Sequence, residues 1–253
     1  MKKLSYLKGL EDCYLFLVKF TKQKYVNDIL DGKLYMNNLK YFIELENKTH
    51  IKGQGDRFEA GNVMNNVTMR LYKSGTKKLI SKIPIKRVTM RYNFYEKIPV
   101  FCLTVFGTND FDIFEETNKS CKIKLNINDT DKNNIINNFG EKAVIIRLDK
   151  FIDKIEKYNG NNSNSLIYGK VHYEDYNVNS INRYKNYAND SLEVLFTKDI
   201  YFSPQREFRI ISGNNYTNDY FVANIGTLRD GGAYVLDTDE FLNRLEFELN
   251  FIK

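Results

Sequence analysis

An α+β fold is what this sequence predicts, on three observations. Segments with strand patterning outnumber those with helical spacing, and the two kinds do not alternate regularly along the chain. The GxGxxG and Walker loops that cradle phosphates in doubly wound sheets are missing, as is the GxSxG nucleophile elbow. With 253 residues, 42% of them hydrophobic and only 3 Pro, the chain can build a substantial core and is neither disordered nor collagenous. The length admits one large domain or two small ones. No run approaches the roughly 18 to 20 apolar residues of a membrane-spanning helix. The short apolar segment Tyr14–Phe20 follows Glu11 and Asp12, the wrong layout for a signal peptide. An intracellular, cytoplasmic protein without a membrane partner is expected.

Tyr14–Phe20 has the length of a buried strand. Tyr25, Val26, Ile29 and Leu30 then fall at helical spacing, with Thr21 as the expected N-cap and Gly32 where a left-handed C-terminal cap is wanted. Leu34–Met36 reads as a short strand ending at Asn37 and Asn38, and Leu39–Leu45 as a second helical turn. The polar loop Gly53–Gly61 carries three glycines, which implies unusual backbone angles. Alternation over Leu79–Val88 predicts strands, and Val100–Phe106 predicts a fully buried central strand. Asn126–Asn138 is a polar linker leading into a modest helix closed by Gly140. Ala143–Leu148 is another buried strand, and Asp149 is the expected cap of a helix with Phe151, Ile152 and Ile155 on one face. Gly160–Ser165 is an Asn/Ser-rich loop, the expected place for a nick. Leu166–Tyr173, Glu207–Ile211 and Tyr220–Ile225 read as strands. Towards the end, Phe241, Leu242, Leu245 and Leu249 share a helical face behind the acidic turn Asp237–Glu240.

The net charge is 38 − 32 = +6, which permits a polyanionic partner without demanding one. It is concentrated. From Gly61 to Tyr95 there is no Asp or Glu, while Arg70, Lys73, Lys77, Lys78, Lys82, Lys86, Arg87 and Arg91 accumulate and Tyr92, Phe94 and Tyr95 follow. These cations are candidate nucleic-acid contacts; the alternative is a solvated face whose compensating acids come from elsewhere. Cys13, Cys102 and Cys121 have no CxxC spacing, and His50 and His172 are far apart, so neither a zinc site nor a disulfide framework is expected. Cys102, in an apolar run, reads as core. Asp56 and Glu59 read as backbone caps in a Gly-flanked loop before they read as ligands of a divalent ion. Tyr168, Tyr173, Tyr184 and Tyr187, with Arg183 and Lys185, have the chemistry to stack on bases, yet Tyr is common throughout the chain.

The most informative segment is Lys198–Ile211. In a strand of period two, Gln205, Glu207 and Arg209 project from one face and Arg206, Phe208 and Ile210 from the other. Glycosyl transfer from NAD needs a carboxylate to hold the nicotinamide ribose and stabilise positive charge as the glycosidic bond breaks, with a second polar group to present the acceptor. The Gln-x-Glu spacing supplies both. The alternative is an exposed Glu207 paired with Arg209.

Five motifs in order carry a resemblance over most of the chain: Phe16–Thr21; Ile29-Leu30-Asp31-Gly32-Lys33-Leu34-Tyr35; Asp56-Arg57-Phe58-Glu59; Phe101-Cys102-Leu103-Thr104; and Gln205–Ile210. Together they resemble the ADP-ribosyltransferase-like superfamily, in particular a branch found in bacteria, their phages and defence loci. The resemblance implies a single domain over residues 1–253, with split mixed and antiparallel sheets flanked by helices. It implies Glu207 as the catalytic glutamate and Gln205 as the acceptor-orienting residue. Lys19 falls where the well-understood branches place an NAD-contacting Arg or His, and Tyr35, Asn37 and Asn38 fall at the nicotinamide-pocket position. The implied activity is transfer of ADP-ribose from NAD to a nucleic acid or protein, in a toxin or phage-defence setting with an antitoxin or regulatory partner. A non-catalytic binding module on the same fold and an NAD hydrolase are the alternatives.

Overall fold

The computed structural model describes residues 2–49, 53, 55–163 and 165–251. The first strands are β1 (Lys2–Lys3) and β2 (Tyr14–Thr21), and a short turn leads into α1 (Val26–Leu30). Gly32 closes α1 with φ +77°, and β3 (Lys33–Asn38) and α2 (Leu39–Thr49) follow. Two long strands, β4 (Asn62–Tyr72) and β5 (Leu79–Met90), precede β6 (Pro99–Gly107), which is the buried central strand predicted. Next come β7 (Phe111–Glu116), β8 (Ser120–Leu125), α3 (Asp129–Phe139), β9 (Lys142–Arg147) and α4 (Leu148–Asn161). The chain continues through β10 (Leu166–Lys170), β11 (His172–Glu174), α5 (Ile181–Ala188), β12 (Thr197–Asp199) and β13 (Glu207–Ser212). It finishes with β14 (Tyr220–Asn224), β15 (Ala233–Asp237), α6 (Thr238–Asn243) and β16 (Glu246–Asn250).

Helices mixed with mainly antiparallel sheets make this an α+β protein. The main sheet runs β10-β13-β6-β2-β9-β15, with β3 joining β6 and β14 joining β3. A smaller sheet runs β1-β7-β8-β16. Strand alternation sorts the core. Leu17, Phe101, Leu103, Val105, Phe208 and Ile210 point to one face, where they pack with Val26 and Ile29 of α1 and Phe151 and Ile155 of α4. On the opposite face, Val18, Phe20 and Phe106 meet the small sheet, α3 and α6. Val100 and Ile211 face the same way at the other end, under Leu39, Tyr95, Leu195 and Phe196. The opposite face therefore carries two apolar clusters, with a seam between them at Thr104 and Cys102 of β6 and Glu207 and Arg209 of β13.

The central strand also parts its neighbours. On one edge β6 pairs with β2 only over Thr104–Gly107 and with β3 only at Pro99 and Val100. Between those stretches β2 leaves β6 while staying paired with β9 as far as Thr21.

Several sequence expectations are corrected. Thr21 is the last residue of β2, paired with Lys142, and no described side chain caps α1. Asp149 lies inside the first turn of α4, bound to Arg147 at 2.6 Å, and α4 runs through Gly160 to Asn161, taking up the start of the expected loop; Asn164 lies outside the described residues. Leu166–Tyr173 is broken at the buried Val171, because β10 pairs with β13 while β11 pairs with β12 in parallel. In the 53–61 loop, Gly53 and Ala60 take positive φ, whereas Gly55 is required by closeness: a Cβ there would lie 2.3 Å from the Phe42 carbonyl oxygen. The final helix stops at Asn243. Leu245 and Leu249 reach the core beside and from β16, since Phe247 and Leu249 also satisfy a strand period over so short a run. No helix among the described residues is long and apolar enough to cross a membrane.

Gly32 offers a test of the α1–β3 turn. An added Cβ would sit 1.9 Å from the Gly226 carbonyl oxygen, against open space at Gly9, which shares a positive φ. Gly32→Ala is expected to cost about 3 kcal/mol and Gly9→Ala about 1 kcal/mol in urea unfolding, the first through strain plus clash and the second through strain alone.

Candidate functional site

Asp199 opens the turn that builds the site, its carboxylate accepting the Tyr201 N–H at 2.9 Å. The turn Ile200–Gln205 closes at Arg206, whose φ of +47° redirects the chain into β13. Gln205 therefore stands in the turn, and only Glu207 and Arg209 share the strand face; the continuous Gln-x-Glu strand expected from the sequence is broken by this left-handed residue. Gln205 still reaches the site. Its Nε2 donates to the Gly53 carbonyl at 2.6 Å and its Oε1 accepts from Lys198 Nζ at 3.1 Å.

Glu207 is buried, not exposed on the strand face beside Arg209. At 4% exposure it lies in the seam between the two apolar clusters, where an isolated charge would be severely penalised. Neutralisation is complete instead. Its Oε1 accepts from Arg209 Nε at 2.5 Å and its Oε2 from Lys198 Nζ at 2.8 Å. Arg209 Nη1 also lies 2.8 Å from Glu59 Oε1 and donates to the Leu195 carbonyl, and Lys198 lies 3.8 Å from Glu59. Two carboxylates and two cations thus cancel. Burial alone would push the Glu207 carboxyl up; Arg209 and Lys198 overcome it and hold Glu207 well below the usual carboxylate range. The Glu207 N–H donates to the Tyr173 hydroxyl at 2.8 Å, which fixes the start of the strand.

Asp56 stands beside this cluster with a different balance. It is 1% exposed; its Oδ1 accepts the Phe58 N–H at 2.8 Å, while its Oδ2 has no hydrogen-bond partner among the described residues. Burial and then Glu59 push its carboxyl up to about 7, against a weaker downward pull from Lys198. Asp56 lines a cleft of about 520 Å³ together with Phe202, Phe58, Arg57, Arg87 and Asp199. Depth follows exposure: Asp56 and Phe202 form the buried floor, and Arg57, Arg87 and Tyr201 the exposed rim. Lys198 Nζ sits 4.7 Å above the Phe202 ring, so the cation pinned to Glu207 is also packed against the cleft floor.

The remaining sequence-predicted residues have definite places. Lys19 bridges the gap where β2 leaves β6: its Nζ donates to the Cys102 carbonyl at 2.7 Å and lies 4.4 Å over the Phe101 ring. Burial there lowers its ammonium pKa. Tyr35 and Asn37 alternate with the core residues Leu34 and Met36, so they face the same side of the sheet as Glu207. Tyr35 stacks on Tyr220 at 4.6 Å near the sheet margin. Asn38 is consumed structurally, its Oδ1 accepting the Tyr41 N–H in the first turn of α2 and its Nδ2 donating to Thr217. The Cys102 thiol is pushed up to about 12 by burial and is inert, as its apolar run predicts. No three His, Cys, Asp or Glu side chains among the described residues converge to hold a metal; His50 lies outside those residues.

Of the candidate nucleic-acid residues, Arg87 and Arg91 are engaged within the chain. Arg87 donates to Asn65 and Asn177, and Arg91 to the carbonyls of Glu59 and Arg57, so both serve as fasteners. Arg183 and Tyr187 are likewise buried, the first on Glu174 and Val63, the second stacked on Tyr92. The sequence assigned no role to Lys198. A lysine nine residues and one turn away from Glu207 has no periodic signal to mark it.

The Asp56 carboxyl binds its proton more tightly in the folded chain than in the unfolded one. Its contribution to stability is therefore full below pH 4 and is lost as the pH rises towards 7. Asp56→Asn is expected to raise the melting temperature at pH 8, by the equivalent of roughly 2–4 kcal/mol, and to change little at pH 4.5. Thermal scans at the two pH values check it; equal effects at both would remove the buried-acid account. No protein-family model matches the chain, and comparison with curated proteins and with solved structures finds no match.

Proposed function

We propose that the protein is an NAD-dependent ADP-ribosyltransferase that modifies a macromolecular acceptor, with Glu207 as the carboxylate that stabilises the oxocarbenium-like ribose. One observation carries this reading. Glu207 is held ionised and oriented in the seam between the two apolar clusters, and its partner Lys198 packs on Phe202 in the floor of a cleft whose 520 Å³ lies in the range of small-molecule sites. The order of the motifs along the chain supports the finer assignment to an ADP-ribosyltransferase-like fold with split sheets.

In this reading the glycosidic C1′–N bond of NAD breaks with its electron pair leaving on nicotinamide, and a nucleophile of the acceptor forms the new bond to C1′. The proton of the nucleophile passes to a base, and Asp56, ionised in about half of the molecules near pH 7, is the carboxyl on the buried floor of the cleft suited to that role. Lys198 must swing from Glu207 before the ribose can approach, because it occupies one carboxylate oxygen. Gln205, which holds Lys198 from the other side, is placed to influence that movement and the acceptor. The residues available to hold NAD shift accordingly. Asn38 is engaged as a helix cap, Lys19 is tied to the sheet gap, and the unpartnered Asp56 Oδ2 fits a ribose hydroxyl.

A second reading rests on the same cluster. Both oxygens of Glu207 are occupied by cations, which suits a non-catalytic binding module in which the network is purely structural. The third, an NAD hydrolase, uses the same Glu207 with water as nucleophile. Labelled NAD incubated with the protein and with separated protein, RNA and DNA fractions distinguishes them. The transferase labels one fraction, and Glu207→Gln is expected to lower labelling at least about 100-fold while circular dichroism shows an intact fold. Undiminished labelling by Glu207→Gln removes this residue from the mechanism. Intact NAD in every fraction favours the binding module, and loss of NAD without label favours the hydrolase.

A further inference from the structure

Strands β4 and β5 form a two-stranded ribbon joined to the cleft at its base. The Asp56–Gly61 loop runs directly into β4, and Arg87 of β5 is part of the cleft rim. From Asn66 to Arg87 every residue is exposed or half-buried, so this length of ribbon stands clear of the core. Residues paired across an antiparallel ribbon share a face. Val67 pairs with Ile85 and Met69 with Ile83, which makes one face apolar. Thr68 pairs with Pro84 and Arg70 with Lys82, and by the same alternation Lys86 joins them on the other face. Lys73, Lys77 and Lys78 occupy the tip. Once Arg87 and Arg91 are set aside as fasteners, six cations remain, and none of them pairs with a carboxylate among the described residues.

We propose that this ribbon is an arm that docks duplex DNA, its Arg70–Lys82–Lys86 face lying in the major groove so that these three cations and the three tip lysines meet the phosphates along it. A two-stranded ribbon fits the roughly 12 Å width of the B-form major groove. The deep, narrow major groove of A-form RNA does not admit it. Six such cations within one acid-free segment supply the counterion-release energy that holds such a contact. The fasteners fix where bound DNA lies: Arg91 ties the base of the ribbon to the carbonyls of Arg57 and Glu59, beside Asp56. Presentation of DNA to the cleft as acceptor rests on the transferase reading; the docking does not.

The test uses the full chain without NAD and a labelled duplex of about 20 base pairs, followed by fluorescence anisotropy between about 50 and 200 mM salt. Saturable binding is expected, with a log–log salt slope no steeper than roughly −5 for six phosphate contacts. The triple variant Arg70→Glu/Lys82→Glu/Lys86→Glu should bind at least about 30-fold more weakly at low salt, with the slope flattened by roughly 3. Met69→Ser/Ile83→Ser on the apolar face should stay within about twofold. Any of four results overturns the arm: no binding at low salt, equal affinity for the single strand, a triple variant that binds like the parent, or loss through the apolar face alone. Absence of NAD turnover leaves the binding result unaffected, so the two readings fail separately.

Discussion

Four charges buried between two apolar clusters constrain the centre of this molecule. Glu207 and Arg209 occupy the seam on β13, and Glu59 and Lys198 close over them from a loop and from β12. The cluster is neutral only as a whole, and removal of one member strands a charge in a medium that solvates it poorly. The segments bearing these side chains are thereby required to meet. Gln205 and Tyr173 extend the same network to Gly53 and to the first backbone N–H of β13.

The second constraint is the central strand. Because β2 and β3 share one edge of β6 without meeting there, a stretch of that edge faces side chains instead of a strand. Lys19 fills the position, its ammonium replacing a ladder donor at the Cys102 carbonyl. An ordinary continuous sheet would leave no such parting, and Lys19 would have no carbonyl to satisfy. The same divergence lets the opposite face carry two clusters with a polar seam between them.

Beside this centre, one wall of the polar cleft and the ribbon are built from a single stretch of chain. The loop that supplies Asp56 and Glu59 continues into β4, and the strand returning as β5 brings Arg87 and Arg91 back to the same loop. An orphaned carboxyl oxygen on the cleft floor and an exposed basic face thus share one anchor.

Much of this was legible in the sequence. The buried β6, the strand over Tyr14–Phe20, the glycine after α1 and the helix closed by Gly140 follow from apolar runs and from backbone angles that glycine alone adopts cheaply. The acid-free basic segment was visible as composition, and the α+β class as an irregular order of periods. The fate of each charge was not. Whether Glu207 is an exposed partner of Arg209 or a buried member of a quartet depends on Lys198 and Glu59, and Glu59 is separated from it by almost 150 residues. Whether Arg87 is free or tied to Asn65 and Asn177 depends on the same packing. Local periodicity determined which segments become strands and helices, because it acts through neighbouring residues. Only the tertiary structure decided the partners of the ionised groups, because electrostatic energy in a buried seam is set by distances between segments that sequence spacing does not encode.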